Sequence, residues 1–423
     1  MRADLESAVH AAIAPGGAGS GSCAYWVPGR IEVLGKHTDY AGGRSLVCAV
    51  EQGFVAAAAA RTDAVVRVIN IAAGSEARLA LDPGLPQPTE AWVRYPATVI
   101  RRVARNFPGA RHGADLAFLS DLPLASGMSS SSAFMVAVFL AIADVNHLSD
   151  DPAYRQATAT PEDLAGYMAT VENGQSFGAL TGDRGVGTFG GSEDHTAMLC
   201  CRAGELSQYS FCPVRHERQV AMPPGYRFVV AVSGVKAEKT GAAKDAFNRA
   251  SLAVRAILDA WRAASGRPDQ SLAEAVCRGG VAEVREVVER AAIDGFATAA
   301  LLCRFDQFVE ESTVIVPLAG DALARGDVAA FGVLVDRSQH LAERWLGNQV
   351  PETVMLARSA RQLGAGAASA FGAGFGGSVW ALVPEREAEA FAARWEASYR
   401  AAFPQVSPAF LVTGPGPAAA KLS

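Results

Sequence analysis

Eleven apolar or small residues in a row, Ala133 to Ala143, follow a turn rich in Gly and Ser. That run predicts a buried helix with Ser129 to Ser132 as its first turn. Elsewhere the chain alternates between helical and strand rhythms. Residues 3–14 place apolar positions at helical spacing, and the glycine-rich stretch 14–22 reads as a connector. A strand is expected at Cys23–Val27, followed by a loop-like segment to about Leu46. Val47–Ala60 and Ala64–Ile71 read as strands separated by the polar Arg61-Thr62-Asp63 turn. Trp92–Asn106 has helical spacing, and Ala114–Leu119 is a strand leading into the serine-rich turn. Thr160 is placed to cap a helix running to about Glu172, with Asp163 three residues on completing a capping box. A glycine-rich loop at 182–191 ends in GGSEDHTAML.

In the second half, Tyr226–Val232 is a buried strand, and Thr240 to Leu346 is largely helical. The stretches Ser271–Val288 and Val328–Trp345 are amphipathic. The segment SAFGAGFGGSVWALVPE then makes a glycine hairpin feeding a strand, followed by a helix at 386–402 and a last strand near Ala409–Val412. Strands and helices mix without strict alternation, which predicts an α+β chain. At 423 residues it divides most naturally into two domains.

Composition narrows the partners. Half the residues are hydrophobic and 19% are charged, as in a folded soluble protein. A net charge of −5 gives no general pull toward nucleic acid or membrane. The N-terminus carries early acidic residues and no long apolar stretch, so no signal peptide is expected. The run at 133–143 is too short to span a bilayer. Seven scattered cysteines show no C-x-x-C pair, which predicts reduced thiols in a cytoplasmic protein rather than a zinc or disulfide framework.

The serine-rich turn reads in two ways. Four serines opening a helix after a glycine offer free N–H groups, a dipole and hydroxyls to a phosphate and its Mg²⁺. They equally suit a core helix with good caps. The segment PGRIEVLGKHTDYAGG gathers Arg30, Lys36, His37, Asp39 and Tyr40 between glycines. It fits either a polyhydroxylated ligand, whose buried hydroxyls each need a partner, or a solvated loop with local ion pairs. Two motifs fail. Gly29 to Lys36 has five residues between its glycines, where a Walker A loop has four, and His37 follows the lysine in place of Ser or Thr. The G-x-S-x-G at Gly174–Gly178 follows a helical pattern, whereas a nucleophile elbow follows a strand.

Taken together, these segments resemble the GHMP-type small-molecule kinases, and within them the galactokinase group. The family's G-R-x-N-x-I-G-E-H-T-D-Y is similar to Gly29–Tyr40, its P-x-x-x-G-L-S-S-S to Pro123–Ser131, and its G-x-G-F-G-G to Gly372–Gly377. Its S-G-V-K is Ser233–Lys236, and the loop with its catalytic Asp matches Gly190–His195. The matches run in family order along nearly the whole chain.

The resemblance implies a two-domain GHMP kinase fold with the active site in the cleft between domains 1–205 and 206–423. It implies ATP-dependent phosphorylation of a monosaccharide, galactose or a galactose-like sugar, at the anomeric C1 hydroxyl, by a monomer or homodimer. Asp194 and Arg30 take the catalytic places. Lys36, His37, Asp39, Gly191 and Lys244 fall in the sugar-binding places. Pro123, Ser126, Gly127, Met128, Ser129, Ser130, Ser131 and Ser132 form the ATP loop, and Ser130, Ser131 and Glu172 are the Mg²⁺ contacts. The third-motif glycines are expected to pack against that loop. The sequence departs from the pattern at Glu32 (family Asn), Lys36 (family Glu), His195 (family Gln) and near Lys244 or Phe247 (family Tyr). A lysine facing the sugar's exocyclic end suits an acidic group, such as a uronic acid, and a lysine paired with Glu32 or another acid points away. A sugar- and ATP-binding regulator without catalysis is the reading of another class.

Overall fold

The computed structural model describes residues 2–13, 22–123, 127–235 and 241–422. Its first sheet holds β1 (Ser22–Leu34), β2 (Arg44–Ala60), β3 (Val65–Asn70), β4 (Ser75–Ala80), β5 (Ala114–Ser120), β6 (Glu205–Ser210) and β7 (Arg215–Ala221). The second holds β8 (Tyr226–Val232), β9 (Ala367–Phe371), β10 (Ser378–Pro384) and β11 (Ala409–Thr413). The last strand, β12 (Ala420–Leu422), returns to the first sheet, which runs β12-β1-β2-β5-β3-β4, with β6 on the early half of β2 and β7 outside it. Among the described strands only β3 and β5 pair in parallel. The second sheet is antiparallel in the order β11-β8-β10-β9.

Side-chain alternation explains the layers, because successive residues of a strand face opposite sides. On β1 and β2, Val27, Ile31, Phe54 and Ala56 face the main core, while Trp26, Val55 and Ala57 face the helix Arg2–Ile13. The helix Ser130–Val145 fills the main core, apolar almost all round, with Val136, Ala137 and Phe139 fully buried. In the second sheet, Phe228, Val230, Trp380 and Leu382 belong to that same core. Val229, Ala231, Val379 and Ala381 turn instead to the helices Pro351–Gln362 and Ala388–Ala402. A single core therefore bridges the sheets, in an α+β fold.

Several expectations are corrected. The segment after Val27 is strand rather than loop. Register shifts between Pro28 and Arg30 and between Glu32 and Leu34 carry β1 past the proline and glycine that suggested a stop. Ser129 is the N-cap of the buried helix rather than its first residue, held left-handed at φ 56°. The GGSEDHTAML segment is a helix from Glu193 to Cys200, too short to show a period in sequence, which places Asp194 in a helical first turn. Ser271–Val288 breaks into Leu272–Gly279 and Val281–Arg290 at Gly280, whose φ of 89° ends a helix. The sequence pattern missed β4, β6, β7 and β12, mostly short and polar strands. A cut at residue 205 leaves β6, β7 and β12, all members of the first sheet, on the far side. The Thr160–Asp163 capping box forms as expected.

The Ser130–Val145 helix is seated by its apolar bulk. Replacing the fully buried Phe139 with alanine is expected to cost about 3–5 kcal/mol, read as a lower urea midpoint with unchanged m-value.

Candidate active site

β1 and the start of the helix Ser130–Val145 meet around a cluster of buried polar side chains. The Arg30 backbone N–H donates to the Met128 carbonyl (3.2 Å), so the serine loop is stitched to β1. The Arg30 guanidinium then reaches across it. Its Nε donates to Asp194 Oδ1 at 2.7 Å, and Nη1 donates to the Gly127 carbonyl. Ser129 Oγ donates to the other Asp194 oxygen, Oδ2 (2.5 Å). The helix start, whose first N–H groups lack intrahelical partners, thus lies beside a carboxylate and a buried cation. A cavity of about 510 Å³ opens over this group, lined in part by Gly127, Ser129, Ser130, Ser131, Arg30 and Asp194.

The glycine hairpin between β9 and β10 closes the same cavity through Gly372, Ala373, Gly374 and Gly377. It packs on the serine loop, as expected: a Cβ on Gly372 would lie 3.1 Å from the Gly127 carbonyl oxygen. The Gly29–Tyr40 segment supplies the adjoining wall. Asp39 accepts from the Glu193 backbone N–H at 3.2 Å. Gly191 has no room for a side chain, since a Cβ there would meet Asp39 Oδ2 at 2.4 Å. His37 uses both ring nitrogens, on Tyr40 Oη (2.8 Å) and the Ala373 carbonyl (3.0 Å). A carbonyl only accepts, so Nε2 carries the proton and Nδ1 accepts. Burial and the Arg304 cation push the His37 pKa down to about 4, leaving the ring neutral.

Beneath the pair lie more charges. Burial works against the Arg30 cation, but Asp194, Glu193 and Glu32 outweigh it and raise its pKa. Burial and the neighbouring Glu32 push Glu193 well above the usual carboxylate range, and burial lifts Glu32 to about 7. Ser45 Oγ donates to Glu193 Oε2. Burial also raises Asp39, against the two backbone N–H groups it accepts from. At the far side of the serine helix, Ser132 Oγ donates to Glu172 Oε2 (2.8 Å), and His195 Nε2 lies 3.4 Å from the same oxygen.

The expected residues divide. Arg30, His37, Asp39, Gly127, Ser129, Ser130, Ser131, Glu172, Gly191 and Asp194 all line the one cavity. Lys36 does not, which corrects its placement against the sugar. It is 1% exposed and its Nζ donates to Ser338 Oγ at 3.0 Å, away from the cavity. Lys244 sits against Gly187 rather than on the wall, and Phe247, one turn on, lines it instead. Ser132 is fully buried, with Glu172 and Asp194 (3.5 Å) as partners, and Met128 is core, so neither faces the cavity. Pro123 also lies off its wall. Ser126 and Lys236 fall outside the described residues.

Sequence reasoning missed the cavity's aromatic lining, where Phe54, Trp92, Tyr95, Phe118 and Phe134 form an apolar slot beside Asn70. Phe118 and Phe134 pack with ring centroids 4.2 Å apart. Aromatics spread over two strands, two helices and the turn at Trp92 look like ordinary core in sequence, and no local pattern marks them.

Comparison with known proteins gives the family. Residues 17–60 match the galactokinase galactose-binding signature, residues 94–186 the GHMP kinases N terminal domain, and residues 321–401 the GHMP kinases C terminal family. The galactokinase of Glaesserella parasuis serovar 5 is 27% identical over 370 residues, 86% of each chain. That of Roseiflexus sp. is 28% identical over 373 residues, 86% of this chain and 84% of the relative. The crystal structure of Lactococcus lactis galactokinase complexed with galactose superposes with a TM-score of 0.79, covering 99% of this chain and all of that one at 22% identity. The L. major mevalonate kinase in complex with R-mevalonate matches at a TM-score of 0.54 and 16% identity, over 93% of this chain and 96% of that one. With N- and C-terminal GHMP segments and the galactokinase signature in order along it, the chain belongs to the GHMP kinases, in their galactokinase-like group.

Proposed function

We propose that this protein transfers the γ-phosphoryl group of ATP to a monosaccharide, galactose or a galactose-like sugar, at its anomeric C1 hydroxyl. The observation that carries the reading is the Arg30–Asp194 pair set beside the N-terminus of the serine helix in one cavity. Phosphoryl transfer asks a protein for positioning and charge stabilisation more than for covalent chemistry. Asp194 is the base: Arg30 and the helix end at Glu193 both favour its ionised form, and it accepts the proton as the sugar oxygen attacks phosphorus. Arg30 stabilises the charge that develops there. Ser130 and Ser131, with the first N–H groups of their helix, receive the phosphates. Ser129 holds the second Asp194 oxygen and so fixes the carboxylate's orientation. The aromatic slot takes the adenine ring, and Asp39 and Gly191 bound the sugar side.

Among the described residues no three His, Cys, Asp or Glu side chains gather as a metal cage. Mg²⁺ bound to a nucleotide needs only one or two carboxylates beside its phosphates and waters, and Glu172 with the Ser130 and Ser131 hydroxyls is a hard oxygen donor set of that kind. When bound there, Mg²⁺ would neutralise phosphate charge. The uronic-acid alternative loses its cation, because Lys36 bonds Ser338 outside the cavity. A non-catalytic regulator is disfavoured by the intact base, cation and serine loop sharing one wall. The reading is completed by cytoplasmic action on small molecules, without a nucleic-acid or membrane partner.

Asp194→Asn is expected to lower kcat by roughly 10²–10⁴ while ATP binding persists. A coupled assay of ADP release alongside nucleotide titration checks this. A wild type that binds ATP and sugar yet releases no ADP would replace the kinase reading with the regulator.

Glu32 sets a second expectation. Its folded pKa of about 7 lies above the ordinary 4.5, so its contribution to stability is full below about 4.5 and is lost as pH rises through 7. Glu32→Gln should flatten that slope, so melting temperatures at pH 8 rise relative to wild type compared with pH 5. Equal wild-type and variant slopes would show that Glu32 is already ionised in the fold.

A further inference from the structure

The sugar chamber's wall changes character along one arc, from Gly190 through Phe247 and His37 to Ala373. The side-chain hydrogen-bonding groups on that arc, and the carbonyls at its two ends, are already engaged inside the protein. The His37 ring spends Nδ1 on Tyr40 and Nε2 on the Ala373 carbonyl. The Tyr40 hydroxyl also lies 3.3 Å from Arg304 Nη2, whose own strongest contact is the His37 carbonyl. The Gly190 carbonyl accepts from Asn173 Nδ2 at 3.0 Å, and the Ala373 carbonyl accepts a second bond from Asn348.

Phe247 completes the arc with carbon. Its ring centroid lies 5.2 Å from that of His37, and its Cζ would be 3.7 Å from a Cβ on Gly190. The neighbouring Asn248 pins it there, accepting from the Phe189 N–H (3.0 Å) and donating to the Gly187 carbonyl (3.1 Å). Among the described residues neither nearby lysine faces the arc: Lys36 points to Ser338, and Lys244 lies off the wall against Gly187. Among the described residues near this arc, Thr188 supplies the remaining side-chain hydroxyl, and it is only 2% exposed. The polar groups that can serve a sugar, Asp39, Asp194 and Arg30, stand on the adjoining wall.

We propose that the chamber selects a galactose-like ring whose exocyclic position carries no oxygen, a 6-deoxyhexose or the corresponding pentose. The proposal rests on the kinase reading above. A hydroxyl pressed against Phe247 and the His37 ring gives up its hydrogen bonds to water without replacement, whereas a methyl group or a hydrogen gives up none. Walls of this kind discriminate by roughly 10–100-fold, since an apolar surface rejects an added hydroxyl only moderately.

Initial rates of ADP release test it with D-galactose, 6-deoxy-D-galactose, L-arabinose and D-galacturonate. The expected result is a kcat/KM about 10-fold or more higher for 6-deoxy-D-galactose, L-arabinose or both than for D-galactose, with D-galacturonate no better than D-galactose. A lead for 6-deoxy-D-galactose alone assigns the arc to a methyl group, and a lead for L-arabinose alone assigns it to a bare ring edge. Phe247→Tyr should then narrow the preference through the sugar KM while the KM for ATP holds. D-galactose or D-galacturonate ahead of both deoxygenated sugars overturns the proposal, and this comparison needs no variant to fold. ADP release with none of the four removes the kinase reading itself, and the proposal with it.

Discussion

One guanidinium holds the centre of this molecule together. Arg30 binds Asp194 from a short helix, the Gly127 carbonyl from the serine loop and, through its backbone N–H, the Met128 carbonyl. Its side chain also lies 5.8 Å from the Phe371 ring at the root of the glycine hairpin. Three segments far apart in sequence are thus tied to β1 by one residue. An uncompensated charge that deep would be unfavourable by several kcal/mol. The carboxylates around it therefore count as structure as much as chemistry. Asp194 is both the base of the proposed reaction and the counter-ion that lets Arg30 stay buried, so position and ionisation are set together.

The rest of the fold serves that placement. The Ser130–Val145 helix is apolar on nearly every face, which sinks it into the core and leaves its first two turns, the serines and Phe134, directed at the cavity. Because β8 and β10 bury Val230, Trp380 and Leu382 in the same core as β1 and β2, the hairpin after β9 cannot drift from the serine loop. Close packing on both sides gives the site its rigidity, as preorganised charge stabilisation requires.

Much of this was legible in the residues. The serine turn, the Gly29–Tyr40 segment and the glycine hairpin each carry local chemistry that needs no partner to be noticed. Helix and strand rhythms placed the long elements, including the Thr160 cap. What escaped had no local signature. The helix carrying Asp194 is eight residues long and follows two glycines, so it looked like a loop. The strand through Arg30 survives a proline by shifting register, which only its partner β2 reveals. Polar edge strands such as β7 lack apolar alternation, and the aromatic slot is assembled from elements that sequence lists as ordinary core.

Position 36 shows why direction matters more than identity. Replacing a family glutamate with lysine suggests, residue by residue, a pocket turned cationic. In the fold, Lys36 and Glu32 lie within one buried network. Lys36 donates to Ser338, which donates to Glu311 (2.8 Å), and the Lys36 charge holds the Glu32 pKa lower than burial alone would. Glu32 in turn helps keep Arg30 charged. The two departures put a cation and an acid into one buried network beside the site, with the acid next to Arg30. Lys36 stays out of a substrate's reach, whereas Glu32 lines the cavity beside Arg30. The proposed sugar preference therefore rests on Phe247, the neutral His37 ring and Asp39 on the cavity wall, and not on the charge reversal at position 36.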